Sequence, residues 1–295
     1  MPSTGPRKRG ATCSCEPRPR RPPGGPWKIG DRVTFDSTIY CGVCEFCRKG
    51  QINLCNNRRV LGVSCEDYRQ HGAFAEFVAV PQHILCRVPD ALPFEQAALV
   101  EPLSIAFHAV RRAPVRLNDT AVVVGAGMIG LLLIQTLRLA GCGQIVAIDL
   151  APEKLALAKR LGATTTINPA SADALRGILE LTKGNGADLA FEAVGVAATV
   201  DIAIRGVRKG GAVTLVGNVS PKTELPLQVV VTRELTLYGS CASCGEYPAC
   251  LEALARGDIQ VTPLISAIAP LAEGASWFDR LYRHETGLLK VVLTP

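Results

Sequence analysis

The stretch that decides the fold is Ala121-Val122-Val123-Val124-Gly125-Ala126-Gly127-Met128-Ile129-Gly130, continued by Leu131-Leu132-Leu133-Ile134-Gln135-Thr136-Leu137. The opening apolar run is short and ends at a glycine, the pattern of a strand buried on both faces. The closing run is long enough for a buried helix. Between them lies Gly-x-Gly-x-x-Gly. Gly125 allows the tight turn, Gly127 removes a Cβ so that a pyrophosphate can approach the backbone, and Gly130 lets the helix pack closely on the sheet. The free N–H groups around Met128 and Ile129 would face phosphate charge. A lone match of this kind is weak, but here an acid, Asp149, stands 19 residues past Gly130 at the end of the next apolar run. An acid in that place accepts hydrogen bonds from the adenosine ribose and repels a 2′-phosphate, which predicts NAD over NADP. Lys154, one helical turn into the next helix, is expected to reach the same ribose. The plainer alternatives are an ordinary tight turn for the glycines and a helix N-cap for Asp149. The 17 residues from Ala121 to Leu137 carry no charge, so a membrane helix competes. The glycine spacing favours strand and helix, and no membrane partner is expected.

Outward from this motif, strands and amphipathic helices alternate. Ala121–Val124 leads to Ile129–Ala140, Ile145–Ile148 to Pro152–Leu161, and Thr164–Ile167 to Ala172–Leu181. Asp188–Glu192, Ala197–Val207, Ala212–Val216 and Leu235–Gly239 continue the series. This alternation predicts the α/β class, a doubly wound parallel sheet with helices on both faces. On the N-terminal side, Asp31–Phe35 and Ala73–Val80 read as strands, and residues 93–112 as helix. The expected organisation is a leader over 1–26, a β-rich domain over 27–115, the nucleotide-binding domain over 116–262, and a return to the first domain over 263–295, which holds the strand Lys290–Leu293.

The 295 residues are 48% hydrophobic and only 5% aromatic, so a large core must rest on Ala, Val, Leu and Ile. The net charge of +6 is concentrated at the start. Residues 1–26 hold Arg7, Lys8, Arg9, Arg18, Arg20 and Arg21 against Glu16, leaving the other 269 residues at +1. A near-neutral body excludes a global field for nucleic acid. The leader also holds seven of the 20 prolines and no Leu, Ile, Val or Phe, which predicts disorder. It reads either as a tail without a role or as a basic arm for an anionic partner. It lacks the apolar core of a secretory signal. Twelve cysteines without an export signal are expected to be thiols or metal ligands, in the cytoplasm.

Four of them, Cys41-x2-Cys44-x2-Cys47-x7-Cys55, fall on one loop with Gly42 and Gly50 between them. Four thiolates around Zn²⁺ leave no open position, so this is a structural metal site. An iron–sulfur cluster is the competing occupant. Cys241, Cys244 and Cys250 resemble a partial metal motif without a fourth ligand nearby, and read as incidental thiols at the start of a helix.

The cysteine loop, then Glu101-Pro102-Leu103-Ser104, then the glycine fingerprint, resembles the zinc-dependent medium-chain dehydrogenase/reductase family over residues 27–295. Gly30-Asp31-Arg32-Val33, Gly72-Ala73-Phe74-Ala75-Glu76-Phe77 and Ala147–Leu155 are most similar to its polyol branch, with sorbitol, threonine and galactitol-1-phosphate dehydrogenases. The resemblance implies a GroES-like catalytic domain joined to a Rossmann domain. It implies hydride transfer from a secondary alcohol of a polyol, sugar phosphate or hydroxy amino acid to NAD, and a dimer or tetramer. Cys41, Cys44, Cys47 and Cys55 would hold structural zinc. Glu101 matches the carboxylate that the branch contributes to its catalytic zinc; otherwise it is a helix N-terminal acid favoured by the dipole.

The family places a Cys and a Gly-His-Glu histidine upstream of the Gly30 segment, and neither is found before it here. The start is therefore expected to have been lost and replaced by an unrelated leader, since Cys13 and Cys15 do not match. His71, His83, His108 and His284 read as surface or packing histidines. An open zinc site usually has three protein ligands, and Glu101 is one, so a catalytic zinc is in doubt. The chain as written is expected to turn over poorly or not at all. A non-catalytic NAD- and zinc-binding module is the alternative. A nucleic-acid binder fails on charge, and a zinc-free quinone reductase would need neither Glu101 nor the cysteine loop.

Overall fold

The computed structural model describes residues 26–295. The chain divides into two units, Met1–Asp31 and Arg32–Pro295. In the first, the Lys28 amide donates to Asp31 at 2.8 Å and closes a turn, so the strand expected from Asp31 starts later. The basic leader, with Cys13 and Cys15, lies outside the described residues apart from Pro26.

In the second unit the elements run β1 (Val33–Phe35), β2 (Thr38–Ile39), α1 (Glu45–Arg48), β3 (Arg59–Val60), β4 (Leu85–Arg87), α2 (Phe94–Ala97) and α3 (Val100–Arg112). Then follow β5 (Thr120–Val124), α4 (Met128–Leu139), β6 (Gln144–Ile148), α5 (Pro152–Arg160), β7 (Thr165–Ile167), α6 (Ala174–Leu181), β8 (Ala187–Glu192), α7 (Ala197–Gly206) and β9 (Val207–Leu215). The chain finishes with α8 (Leu227–Thr232), β10 (Thr236–Gly239), α9 (Tyr247–Arg256), β11 (Ile265–Pro270), α10 (Gly274–Tyr282) and β12 (Lys290–Thr294).

Six parallel strands form the central sheet in the order β10-β9-β8-β5-β6-β7. Strand order reverses between β5 and β8, which opens a crevice at their carboxyl ends. The register aligns those ends. Val124 lies beside Ile148 and Glu192, and Leu215 beside Glu192 and Gly239. Gly125, Asp149, Ala193 and Val216 therefore share one rim.

Period-2 alternation sends each strand to both faces. Ala121, Val123, Ile145 and Ala147 join one core with α3, α4 and α9. Val122, Val124, Val146 and Ile148 join another with α6 and α7. Leu131, Leu132, Leu133, Ile134 and Leu137 of α4 are all at 0% exposure, so the charge-free stretch is the buried strand β5, the glycine turn and the buried length of α4. Each such side chain contributes about 1.5–3 kcal/mol on burial. Among the described residues no helix is long and apolar enough to cross a membrane.

Outside this sheet, β1 pairs antiparallel with β4, β2 antiparallel with β3, and β11 parallel with β12. Two expectations are corrected. Ala73–Val80 forms no strand. Its alternation supplies an apolar face, but a strand also needs a backbone partner, and no sheet among the described residues includes it. Phe74 and Phe77 stay 68% and 89% exposed. The helix expected over 93–112 breaks into α2 and α3. Pro102 has no N–H to continue a helix from Ala98, and the break places it in the first turn of α3, where none is needed.

Candidate nucleotide groove and metal centre

At the β5–α4 turn, Gly125 has φ +96°, and a Cβ there would lie 2.5 Å from Val194 Cγ2. A Cβ on Gly130 would fall 1.7 Å from the Gly125 carbonyl oxygen. The turn thus forces both glycines. Gly127 differs, because a Cβ on it would meet nothing within 4 Å. The protein leaves that space open on the rim, where a phosphate would need it. Gly127 sits at the N-cap of α4 without a side-chain cap, and Met128 and Ile129 begin the helix.

Asp149 follows β6 and reaches across to this turn. Its Oδ2 accepts from the Ala126 amide at 2.7 Å, and its Oδ1 accepts from the Ala151 amide at 2.9 Å. The N-cap of α5 is Ala151 itself. Each Asp149 oxygen keeps a lone pair for a further donor. Lys154 is the third residue of α5 and is half-buried.

The four cysteines converge around α1. Cys44 is its N-cap and Cys47 lies within it, while Gly42 and Gly50 turn the flanking loop at φ +75° and +77°. Their sulfurs all lie within 4.8 Å of one another, and Cys41 and Cys47 are 4.0 Å apart. Tetrahedral zinc with Zn–S near 2.3 Å calls for sulfurs about 3.8 Å apart, so the donor set fits that ion. The Cys44 amide donates to Cys41 Sγ at 3.4 Å, the Cys41 amide to Cys55 Sγ at 3.3 Å, and the Asn57 amide to Cys55 Sγ at 3.4 Å. Such donors favour thiolates. The Val43 amide holds the Cys41 thiol down at about 6. Burial pushes Cys47 up to about 12.

Glu101 lies in the first turn of α3. Burial raises its carboxyl above the ordinary value, Lys290 of β12 opposes this, and Asp36 adds to it. Among the described residues, the four cysteines are the sole group of three or more His, Cys, Asp or Glu placed to hold a metal, and Glu101 is not among them. The histidines are packing or surface groups. His71 and His284 are exposed, and His83 contacts the Tyr40 carbonyl at 3.2 Å. His108 is buried in α3, where its Nδ1 is 3.0 Å from Glu246 Oε1.

That last contact belongs to a network which spacing does not reveal. Glu246, just before α9, also accepts from Arg111 at 2.9 Å and from the Cys244 amide. Asn53, inside the cysteine loop, donates to the Cys241 carbonyl at 2.9 Å. Cys244 donates to the Gly50 carbonyl at 3.0 Å, and Arg58 donates to Cys241 Sγ at 3.3 Å. These two thiols are thus not incidental; they tie the segment after β10 to the cysteine loop. Cys250 is simply buried in α9. No local signal marks Glu246, since its two side-chain partners lie 135 and 138 residues away.

A cavity of about 650 Å³ lies beneath the sheet, lined by Thr120, Lys183, Asp188, Arg208, Lys209 and Arg233. It is at the amino ends of the strands, away from the fingerprint. Arg208 is committed to Asp188, and Arg233 to the Arg205 and Val207 carbonyls.

Comparison with known proteins agrees with this geometry. The family profile described as alcohol dehydrogenase GroES-like domain matches residues 22–90, and the one described as zinc-binding dehydrogenase matches residues 129–256. Sorbitol dehydrogenase of Bacillus subtilis strain 168 is 34% identical over 271 residues, covering 91% of this chain and 75% of that protein. The structure of alcohol dehydrogenase TADH from Thermus sp. ATN1 superposes with a TM-score of 0.86 at 34% identity, covering 92% of this chain and 79% of that one. Galactitol-1-phosphate dehydrogenase from Escherichia coli gives a TM-score of 0.84 at 28% identity, covering 92% and 80%. The chain belongs to the zinc-type medium-chain alcohol and polyol dehydrogenases, with a Rossmann sheet and a GroES-like part.

Proposed function

We propose that the chain binds NAD at Gly125, Gly127, Met128, Ile129, Gly130, Asp149 and Lys154, and oxidises a secondary alcohol of a polyol or sugar phosphate. The observation that carries this is the open space at Gly127 beside the Asp149 carboxylate, two features that a dinucleotide would use together. NAD supplies the hydride acceptor. The residues would orient it: the Met128 and Ile129 amides toward the pyrophosphate, and Asp149 toward the adenosine ribose. Similarity to sorbitol and galactitol-1-phosphate dehydrogenases supports the substrate class. The proposed organisation keeps a GroES-like part over 27–115, the Rossmann part over 116–262 and the return over 263–295, in a cytoplasmic homo-oligomer.

Cys41, Cys44, Cys47 and Cys55 would hold zinc as a structural clamp on their loop. Glu101 is a single carboxylate, and an open zinc site usually takes three protein ligands. This favours a second reading, an NAD- and zinc-binding module without turnover. Binding of NADH, followed by NAD reduction with sorbitol, threonine, butanediol and galactitol 1-phosphate in zinc-supplemented buffer, separates the two. Turnover of any of these alcohols supports the dehydrogenase. Tight NADH binding without turnover supports the module. Absence of NADH binding removes both.

A further inference from the structure

The amino ends of β5, β8 and β9 surround the cavity of about 650 Å³ beneath the sheet. Its walls are fixed by their own contacts. Asp188, near the start of β8, accepts from the Thr120 amide at 2.8 Å and from Arg208 Nε at 2.7 Å. Arg208 Nη1 donates to the Lys209 carbonyl at 3.0 Å, and the Gly210 amide donates to the Arg233 carbonyl at 2.8 Å. Gly186 brings the α6–β8 connection against β9, since a Cβ on it would fall 2.8 Å from the Arg208 nitrogen. Pockets of roughly 300–1,000 Å³ take small molecules.

The charge of this cavity is one-sided. Lys183, Arg208, Lys209 and Arg233 line it against a single carboxylate, Asp188, a net of +3. The 269 residues beyond the leader total only +1, so the rest of that body is at −2. Asp188 compensates Arg208. Arg233 is held by the Arg205 carbonyl at 3.0 Å and by the Val207 carbonyl, which fix its guanidinium and leave its charge uncompensated. The Lys183 and Lys209 ammonium groups take no partner among the described residues. A recess lined by one sign of charge focuses its field. One phosphate brings a charge of about −1.5 to −2, so three uncompensated cations match a chain of two or three. Lysine meets such an anion as a point charge and arginine as a fork.

We propose that this cavity binds an oligophosphate anion, two or three linked phosphates held by Lys183, Lys209 and Arg233. It is separate from the nucleotide groove, because β5 puts about 16 Å between Thr120 and Gly125 at 3.3 Å per residue. Two sources carry this chemistry: free oligophosphate and the phosphate chain of a nucleoside triphosphate.

The test is calorimetric titration of sodium tripolyphosphate into the full chain at low salt, without NADH and with NADH in excess. One lysine-dependent equivalent should bind, with the same affinity in both cases. Lys183→Gln and Lys209→Gln should each weaken it about three- to tenfold and leave the melting temperature unchanged, and the double variant should weaken it further. Lys183→Arg and Lys209→Arg keep the charge and should keep most of the affinity. ATP, titrated with NADH in excess, assigns the source. Lysine-dependent binding tighter than that of tripolyphosphate supports a nucleoside triphosphate, and equal or weaker binding supports free oligophosphate. Absence of tripolyphosphate binding to the unaltered chain overturns the inference. So does unchanged affinity in the double variant, which assigns the anion to the basic leader, and so does displacement by NADH, which assigns it to the groove.

Discussion

Asp149 joins two loops through one carboxylate, gripping the Ala126 amide with one oxygen and the Ala151 amide with the other. A carboxylate–ribose contact is worth about 1.5–3 kcal/mol, so Asp149→Ala should weaken NAD by about one to two orders of magnitude. Titration with both cofactors checks this, and the unaltered chain should prefer NAD to NADP. The glycines allow a sharper contrast. Gly130→Ala drives a Cβ into the Gly125 carbonyl, so thermal denaturation should show a loss of about 1–3 kcal/mol or more. Gly127→Ala meets nothing within 4 Å, so its melting temperature should stay unchanged while NADH affinity falls. A Gly127→Ala chain that binds NADH normally would show that no phosphate approaches there.

Two elements carry stability outside the sheet. The cysteine loop is the first. Purified protein should hold about one equivalent of zinc, and Cys47→Ser should lose both the zinc and stability, measured by metal analysis and thermal melting. The second is the clasp between α3 and the start of α9. Burial by itself would raise the Glu246 carboxyl. Hydrogen bonds from His108 and the Cys244 amide, with the charge of Arg111, outweigh it and hold the carboxyl below its ordinary 4.5. The stability contributed is therefore complete above that value and is lost as pH falls through the lower folded value. Arg111 is largely exposed and adds little, but Glu246→Ala strands the buried His108 donor. We expect a loss of about 1–3 kcal/mol at neutral pH, and a flatter acid limb in the pH dependence of denaturant unfolding. The sheet was legible because Val122–Val124 and Ile145–Ile148 are buried on both faces and punctuated by glycine. The four cysteines were legible because their ligands are neighbours in sequence. The segment at Ala73–Val80 misled, since alternation reports a face and not a partner. Glu246 could not be read, because nothing in its local spacing sets a buried carboxylate apart from a solvated one.

Across the whole molecule, the sheet's order has a kinetic consequence. Strands β5, β6 and β7 are close in sequence and can associate early. The edge of β5 that will carry β8 waits much longer, because Ala121 must find Leu189 and Val124 must find Glu192. Until then Val122 and Val124 present an unpaired, apolar strand edge to the surroundings. Pairings so distant along the chain form slowly, and such edges recruit other chains. During synthesis the ribosome must deliver about seventy further residues at roughly 5–20 per second, leaving that edge open for several seconds. Aggregation in refolding or overexpression should accordingly begin with half-built sheets, and chaperones that shield extended apolar segments should raise the yield more than any additive acting on the finished fold.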